Sequence, residues 1–205
     1  MGSKAAVLGF AQGVPRNWLW PNAGLDQRRS GALAERMLGT SARAAGALAL
    51  DLAVWPDPGV VCAGSLPGLD IVCSRALTTP RPSRLTDDVV GLADGRSAYA
   101  AFMHSAEDWA AFAVWAGGGL VRSMSISPGD GVLEDEGDRL PCEGAFWEGD
   151  HPVRHAPEYP LPFHPLELGN AVLRECFGFV LEGHEGPDCF DPEDAELLAF
   201  TADKV

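Results

Sequence analysis

The stretch 97–127 restricts the fold more than any other part of the sequence, because it contains three consecutive β-type runs. Runs 98–103, 109–116 and 120–127 are rich in apolar, aromatic and β-branched residues, and three glycines at 117–119 separate the last two. A three-residue turn with glycine at its left-handed position fits that spacing and predicts an antiparallel meander. Both faces of this meander are mostly apolar, so other elements are expected to cover each side.

The remaining segments predict further strands and three helices around this sheet. The apolar run 4–11 is typical of a buried strand, and Pro67-Gly68 predicts a turn between the β-type runs 59–65 and 69–77. Helices are expected at 26–38, 83–93 and 165–182. The predicted fold class is therefore α+β: a mainly antiparallel sheet with one long C-terminal helix, 165–182, packed on it and smaller helices.

The five cysteines, at positions 62, 73, 142, 176 and 189, form no CxxC pair. This spacing favours reduced thiols over a disulfide framework or a zinc site. If Pro67-Gly68 centres a tight hairpin, Cys62 and Cys73 lie directly opposite each other, with Cα atoms about 5.5 Å apart. Two small buried thiols are then expected there.

We expect a single domain spanning 1–205, because 205 residues suit one large domain. Its net charge of −14 is concentrated in two segments. Residues 126–150 carry eight acidic side chains against Arg139, and residues 181–205 carry eight against Lys204. We therefore expect an acidic irregular segment at 128–162 and an acidic C-terminal tail at 183–205.

The charge distribution also limits the partners. An acidic surface repels phosphate backbones, which argues against nucleic acid and allows a basic protein partner. The candidate partner-binding residues are Asp130, Glu134, Asp135, Glu136 and Asp138. A solvated acidic surface that keeps the protein soluble explains the same residues.

No apolar run approaches the roughly 20 residues needed to cross a bilayer, and the N-terminal apolar stretch is too short for a signal peptide. We therefore expect a cytoplasmic protein without membrane contact. A homodimer is left open, because the sequence does not show which elements cover each face of the sheet.

His104, Ser105 and Asp108 are the first candidates for chemistry, because they fall in the loop between two predicted strands. An aspartate can orient a histidine as a general base, and Ser105 would then be the nucleophile. A histidine bonded to backbone and an aspartate in a turn explain the loop equally well. P-loop, GxGxxG, GxSxG and HExxH signatures are absent from the sequence.

His164 and Glu167 are the second candidates, at the start of the predicted helix 165–182. Their spacing resembles a capping pair, although histidine is an unusual cap. A metal site combining His164 with His104 or Glu134 has no supporting ligand spacing, and prolines weaken the helical zinc pair that His151 and His155 would form. We therefore expect no metal and no cofactor.

Five stretches carry a resemblance to a known family: Arg81–Leu85, Met103–Trp115, Leu120–Ser125, Gly131–Asp135 and Pro162–Gly183. They resemble a family of uncharacterised actinobacterial proteins with a domain of unknown function. The resemblance implies a cytoplasmic setting and no assigned activity. This chain departs from it at Phe10-Ala11-Gln12-Gly13-Val14, where similar proteins often show an acidic Ala-Asp-Gly-like segment. A site that used that acid would be lost here.

Two functions are consistent with the sequence. The favoured one is a non-catalytic binding module that recognises a protein through the acidic loop and tail. The alternative is an enzyme or small-ligand-binding protein with a pocket near His104, Asp108 and His164.

Overall fold

The computed structural model describes residues 2–21, 23–153, 158–183 and 186–203. These residues form one antiparallel sheet of nine strands. The strands are β1 (Lys4–Ala11), β2 (Ala42–Ala49), β3 (Val60–Ser65), β4 (Leu69–Cys73), β5 (Ser97–His104), β6 (Trp109–Ala116), β7 (Gly119–Ser127), β8 (Gly131–Gly137) and β9 (Glu196–Ala202). Their order is β2-β9-β3-β4-β1-β5-β6-β7-β8, so β1 is central and β2 and β8 are the edges.

Short helices cover this sheet. The α-helices are α1 (Gln27–Leu38), α2 (Leu50–Ala53), α3 (Thr86–Ala93), α4 (Gly144–Trp147) and α5 (Pro165–Phe177). Turns of 3-10 helix lie at Pro15–Asn17, Arg75–Leu77, Pro82–Leu85, Pro141–Glu143 and Pro192–Asp194. No helix among the described residues is long and apolar enough to span a membrane.

The meander predicted from 97–127 is confirmed, because β5, β6 and β7 pair in sequence order. The structure extends it with β8, at residues 131–137 of the segment that was predicted to be irregular. Likewise, residues 196–202 of the predicted acidic tail form β9, which pairs with both β2 and β3. Acidic residues are unfavourable in strand interiors, so composition alone hides both strands.

The predicted fold class is wrong in its main helical element, because the described part of the chain contains no long C-terminal helix. The helix predicted at 165–182 ends at Phe177, and Gly178 adopts a left-handed conformation with φ of 81° that stops it. Phe179 and Val180 extend the apolar pattern of the helix but are buried beyond its end. The molecule is mainly a sheet with small helices, and its last described element is a strand.

The two shorter helices were predicted more closely. Asp26 caps α1 by accepting a hydrogen bond from the backbone N–H of Arg29 at 2.9 Å, and left-handed Gly39 ends the helix. The segment 83–93 divides into the end of a 3-10 turn, Pro82–Leu85, and helix α3, which begins after Leu85.

Each face of the sheet carries its own apolar cluster, as expected for a sheet that is apolar on both sides. On one face, called the α5 face, helix α5 packs against β5 and β6, with Met103 and Phe112 beneath it. On the other, called the α1/α3 face, α1 packs against β2, β3 and β9 and α3 packs against β5, and the apolar cluster there includes Phe102 and Trp109. Alternation along β5 therefore places His104 on the α1/α3 face, two residues after Phe102.

The hairpin predicted around Pro67-Gly68 is confirmed, and Cys62 pairs with Cys73 in its register. Both cysteines are buried and free. Burial raises the pKa of Cys62 to about 12. Burial and the neighbouring Cys62 raise the pKa of Cys73. These thiols are therefore unreactive core side chains at neutral pH.

Candidate functional site

A cavity of about 520 Å³ opens beside His104 on the α1/α3 face. It is called the His104 cavity below. Its walls are Thr78, Pro80, His104, Glu107, Trp109, Ser127, Gly129, Asp130 and Leu133. Ligand sites in proteins typically fall between about 300 and 1,000 Å³ and combine an apolar wall with a few polar groups.

The strand order brings these residues to one edge of the sheet, the edge that runs across the strand ends and not along β2 or β8. Strands β4, β5 and β7 run in the same direction, because one antiparallel strand lies between each neighbouring pair. Their carboxyl ends therefore meet at one edge. His104 ends β5, Ser127 ends β7, and Thr78 comes directly after the turn that succeeds β4. Trp109 begins β6 and pairs directly with His104.

His104 has a ring nitrogen that the described part of the protein does not use. Its Nδ1 is buried and has no hydrogen-bond partner there, and the Oγ1 of Thr78 in the same cavity is in the same state. The imidazole is held by Trp55, whose ring centroid lies 5.5 Å away. A buried polar atom without a partner costs about 1–3 kcal/mol, which a ligand that bonds it would recover.

The rest of the wall is fixed by its own contacts. Trp109 stacks on Phe102 with centroids 6.4 Å apart, and its indole N–H donates to Ser125 Oγ at 3.0 Å. The hydroxyl of Ser127 donates to Asp130 at 3.0 Å. The cavity is thus preformed, with an aromatic wall beside two residues, His104 and Thr78, whose buried polar atoms lack partners among the described residues.

His164 uses Nδ1 as a hydrogen-bond acceptor, in contrast to His104. Its Nδ1 accepts the backbone N–H of Leu166 at 3.3 Å, which confirms the predicted N-cap of α5. Its Nε2 lies 3.7 Å from Oδ2 of Asp108. The side chain of Glu167 makes no return bond to the cap, so the reciprocal part of the capping pair is not formed. His164 therefore caps the start of α5 through Nδ1, and its Nε2 faces the carboxylate of Asp108.

Tyr159 completes the surroundings of His164. Its ring stacks on the imidazole with centroids 5.7 Å apart. Burial raises the pKa of Tyr159, and the carboxylates of Asp108 and Glu167 raise it further. The phenol is therefore neutral at ordinary pH.

The three residues of the predicted pocket do not share one cavity. His104 lies on the α1/α3 face, whereas His164 begins α5 on the opposite face and lines a separate cavity of about 440 Å³ with Glu167. Asp108 turns toward His164, so the predicted pair of Asp108 with His104 is not formed. Ser105 lies in the turn, where its backbone N–H donates to the carbonyl of Ser3 at 3.0 Å.

Glu134, a predicted partner-binding residue, is buried and holds the fold together. It accepts hydrogen bonds from the hydroxyl of Ser83 at 2.6 Å, from the backbone N–H of Ser83 at 3.1 Å and from the hydroxyl of Ser123. These bonds tie the edge strand β8 to β7 and to the 3-10 turn before α3.

Asp135 is exposed at its surface but belongs to a second network, which is centred on the buried Arg122. The guanidinium of Arg122 is fully buried and donates twice to Glu143, at 2.9 and 2.6 Å, and once to Asp135, at 2.6 Å. Burial alone would lower the pKa of Arg122, but the hydrogen bonds to Glu143 and Asp135 raise it. The network fastens the chain after β8 to the sheet.

The other three acidic candidates, Asp130, Glu136 and Asp138, are exposed. Asp130 accepts from Ser127 and borders the His104 cavity. Only part of the predicted acidic docking surface is therefore available to a partner.

Among the described residues, no three His, Cys, Asp or Glu side chains are grouped as metal ligands would be. His155, one half of the predicted helical zinc pair, lies outside those residues.

Sequence reasoning found His104 but missed Thr78 and Trp55. Their proximity to His104 depends on the strand order, since β1 separates β4 from β5. It also missed Arg122 and Glu143, because a lone arginine in a predicted strand and a glutamate 21 positions later give no periodic signal.

Residues 5–200 match a family of unknown function, DUF6928, and the chain belongs to that family. Searches of curated proteins and of solved structures found no match.

Proposed function

We propose that this protein binds a small, neutral, hydrogen-bonding molecule in the His104 cavity. The observation that supports it is the pair of buried polar atoms without partners among the described residues, His104 Nδ1 and Thr78 Oγ1, in a cavity with an aromatic wall. Pro80, Trp109 and Leu133 provide the surface for an apolar body. Glu107 and Asp130 at the same cavity disfavour an anion.

The hydrogen bonds that His104 Nδ1 and Thr78 Oγ1 lack among the described residues determine the class of ligand. A hydroxyl can donate to an unprotonated imidazole nitrogen and accept from a threonine hydroxyl at the same time. Phenol carries such a hydroxyl on an apolar ring, and toluene has nearly the same shape without it. The comparison of the two probes therefore isolates the hydrogen bonds from the burial of the ring.

We would titrate both probes into ¹⁵N- and ¹³C-labelled protein and follow the His104 and Trp109 side chains by NMR. Phenol should shift both signals and bind about tenfold more tightly than toluene, since one or two such bonds contribute about 1.4 kcal/mol. His104→Phe should remove this preference, whereas His151→Phe, a change outside the cavity, should preserve it. Equal affinity for the two probes, or shifts confined to other surfaces, would refute the proposal.

A second candidate function is recognition of a basic protein through the exposed acidic residues. Glu136 and Asp138 are exposed at the end of the edge strand β8 and make no side-chain hydrogen bond or ion pair with described residues. Rim charges of this kind chiefly set association rates.

The test uses a deca-lysine peptide as the probe. The double variant Glu136→Lys, Asp138→Lys should slow its association, most visibly at low salt. Asp87→Lys, Asp88→Lys makes the same charge change on α3 and serves as the control. If the two double variants slow association equally, only net charge matters and no docking surface exists at β8.

A cytoplasmic setting is part of this proposal. All five cysteines are free, including the directly opposed Cys62 and Cys73, which supports a reducing compartment. Cell fractionation of the native host would test it.

A further inference from the structure

A second cavity, of about 460 Å³, is lined by Trp55, the residue whose ring contacts His104. It is called the Trp55 cavity below. Lys4 begins β1 and Ser3 directly precedes it, Asp51 and Leu52 belong to α2, and Arg75 belongs to the turn after β4. All of these elements meet at the sheet edge that also carries the His104 cavity.

Three buried polar atoms around this cavity have no hydrogen-bond partner in the described part of the chain. They are Ser3 Oγ, Asp51 Oδ1 and Arg75 Nε. Ser3 is only 5% exposed, so solvent cannot readily hydrate its hydroxyl. A protein interior rarely leaves several such groups together, because each costs about 1–3 kcal/mol.

The described charged side chains that line the Trp55 cavity sum to zero net charge, but they form no ion pairs with one another. Lys4 and Arg75 supply two positive charges, and Asp51 and Glu182 supply two negative ones. Within this set of four described residues, no ion pair joins either cation to either carboxylate. The ion pair of Arg75 is with Asp57, which lies 3.7 Å away and is 90% exposed, so it is weak.

Arg75, one of the two cationic side chains of this cavity, has a restricted orientation. The guanidinium of Arg75 lies 5.1 Å from the ring centroid of Trp55, a cation–π contact that restricts its orientation. A planar guanidinium held in this way is suited to bind a carboxylate. The apolar wall consists of Trp55, Leu52 and Leu181.

We propose that the Trp55 cavity binds a small zwitterion, a free amino acid with an aliphatic side chain. Its carboxylate lies at Arg75 and Lys4, its ammonium group at Asp51 and Glu182, and its side chain against Trp55 and the two leucines. A simple anion would meet the two carboxylates, and a simple cation would meet Lys4 and Arg75. Only a ligand that carries both charges satisfies both sides of the cavity.

Isothermal titration calorimetry with three probes tests the proposal. L-leucine carries both charges, N-acetyl-L-leucine only the negative one, and L-leucinamide only the positive one. We expect L-leucine to bind at least tenfold more tightly than either single-charge probe. N-acetyl-L-leucine or L-leucinamide binding as tightly as L-leucine, or no binding of L-leucine at millimolar concentration, would overturn the proposal.

Variants of the cavity residues test where L-leucine binds. Arg75→Gln and Asp51→Asn should each weaken L-leucine binding about tenfold, and Arg84→Gln, an exposed arginine outside the cavity, should leave it unchanged. Circular dichroism checks that each variant is folded. L-leucine binding that survives both cavity changes in folded protein would place the ligand elsewhere and overturn the proposal. None of these positions lines the His104 cavity, so the result does not depend on phenol binding there.

Discussion

Two edges of the sheet differ in how their polar groups are bonded. The acidic edge is formed by β8 and the chain that follows it, and the other edge runs across the strand ends and carries the His104 cavity. At the acidic edge, Glu134 is satisfied by Ser83 and Ser123, and Arg122 is satisfied by Glu143 and Asp135. At the edge that carries the His104 cavity, His104 and Thr78 keep buried atoms without partners among the described residues. The acidic charges are the more conspicuous feature of the sequence, yet several of them stabilise the fold. The less conspicuous edge carries the unpartnered groups on which the proposed ligand binding rests.

This difference has a physical basis. A buried charge is tolerated only when it is paired and hydrogen-bonded, so a buried carboxylate is strongly constrained by the fold. A neutral buried nitrogen or hydroxyl costs less, and a protein can keep a few of them where a ligand supplies the missing bond. Changes at the two edges should therefore affect different properties: stability at the acidic edge and ligand binding at the other.

The largest effect is expected for Glu143→Leu. The change leaves the guanidinium of Arg122 fully buried without its bidentate partner, and breaking one side of such a pair costs about 3–5 kcal/mol. Urea unfolding should show that loss in the free energy of unfolding. Glu136→Leu, at an exposed position on β8, should change it by less than about 0.5 kcal/mol. Similar losses for the two variants would remove the distinction between buried and exposed acids.

A moderate effect is expected for His164→Ala. The change removes the bond from the Leu166 N–H to Nδ1 and should lower the free energy of unfolding by about 1 kcal/mol. His164→Asn should recover most of it, because asparagine is a good N-cap. Phenol binding should be unaffected in both. A loss of phenol binding would mean that the two histidines act together after all.

The smallest effect on stability is expected for Thr78→Val. Valine has nearly the same shape and lacks the unpartnered hydroxyl, so the free energy of unfolding should stay within about 0.5 kcal/mol or rise. Phenol affinity should nevertheless fall several-fold. A clear loss of stability would show that the hydroxyl already has a partner in the unliganded protein.

Patterns that depend on neighbouring residues were predictable from the sequence. The meander of β5–β7, the Cys62–Cys73 pairing and the His164 cap arise from turn glycines, turn spacing and a proline at a helix start. The end of α5 was not predicted, because apolar residues continue in helical spacing past Gly178. A left-handed glycine stops a helix even where the next residues are apolar.

The site was predictable only in part, because it is made by strands that are distant in sequence. His104 was found from its place in a loop, but the proximity of Thr78 requires knowing that β1 lies between β4 and β5. The sequence also could not show that Asp108 turns to the α5 face, away from His104. Nor does a run of acidic residues reveal which member is buried, since Glu134 and Glu136 lie on the same face of β8 and differ only in depth.

A crystal structure of the protein grown with phenol tests the central claim most directly. The account predicts phenol in the His104 cavity, with its hydroxyl within about 3.2 Å of Nδ1 of His104 and its ring against Trp109. A cavity closed by protein side chains, with Nδ1 of His104 bonded to another group of the chain, would contradict it.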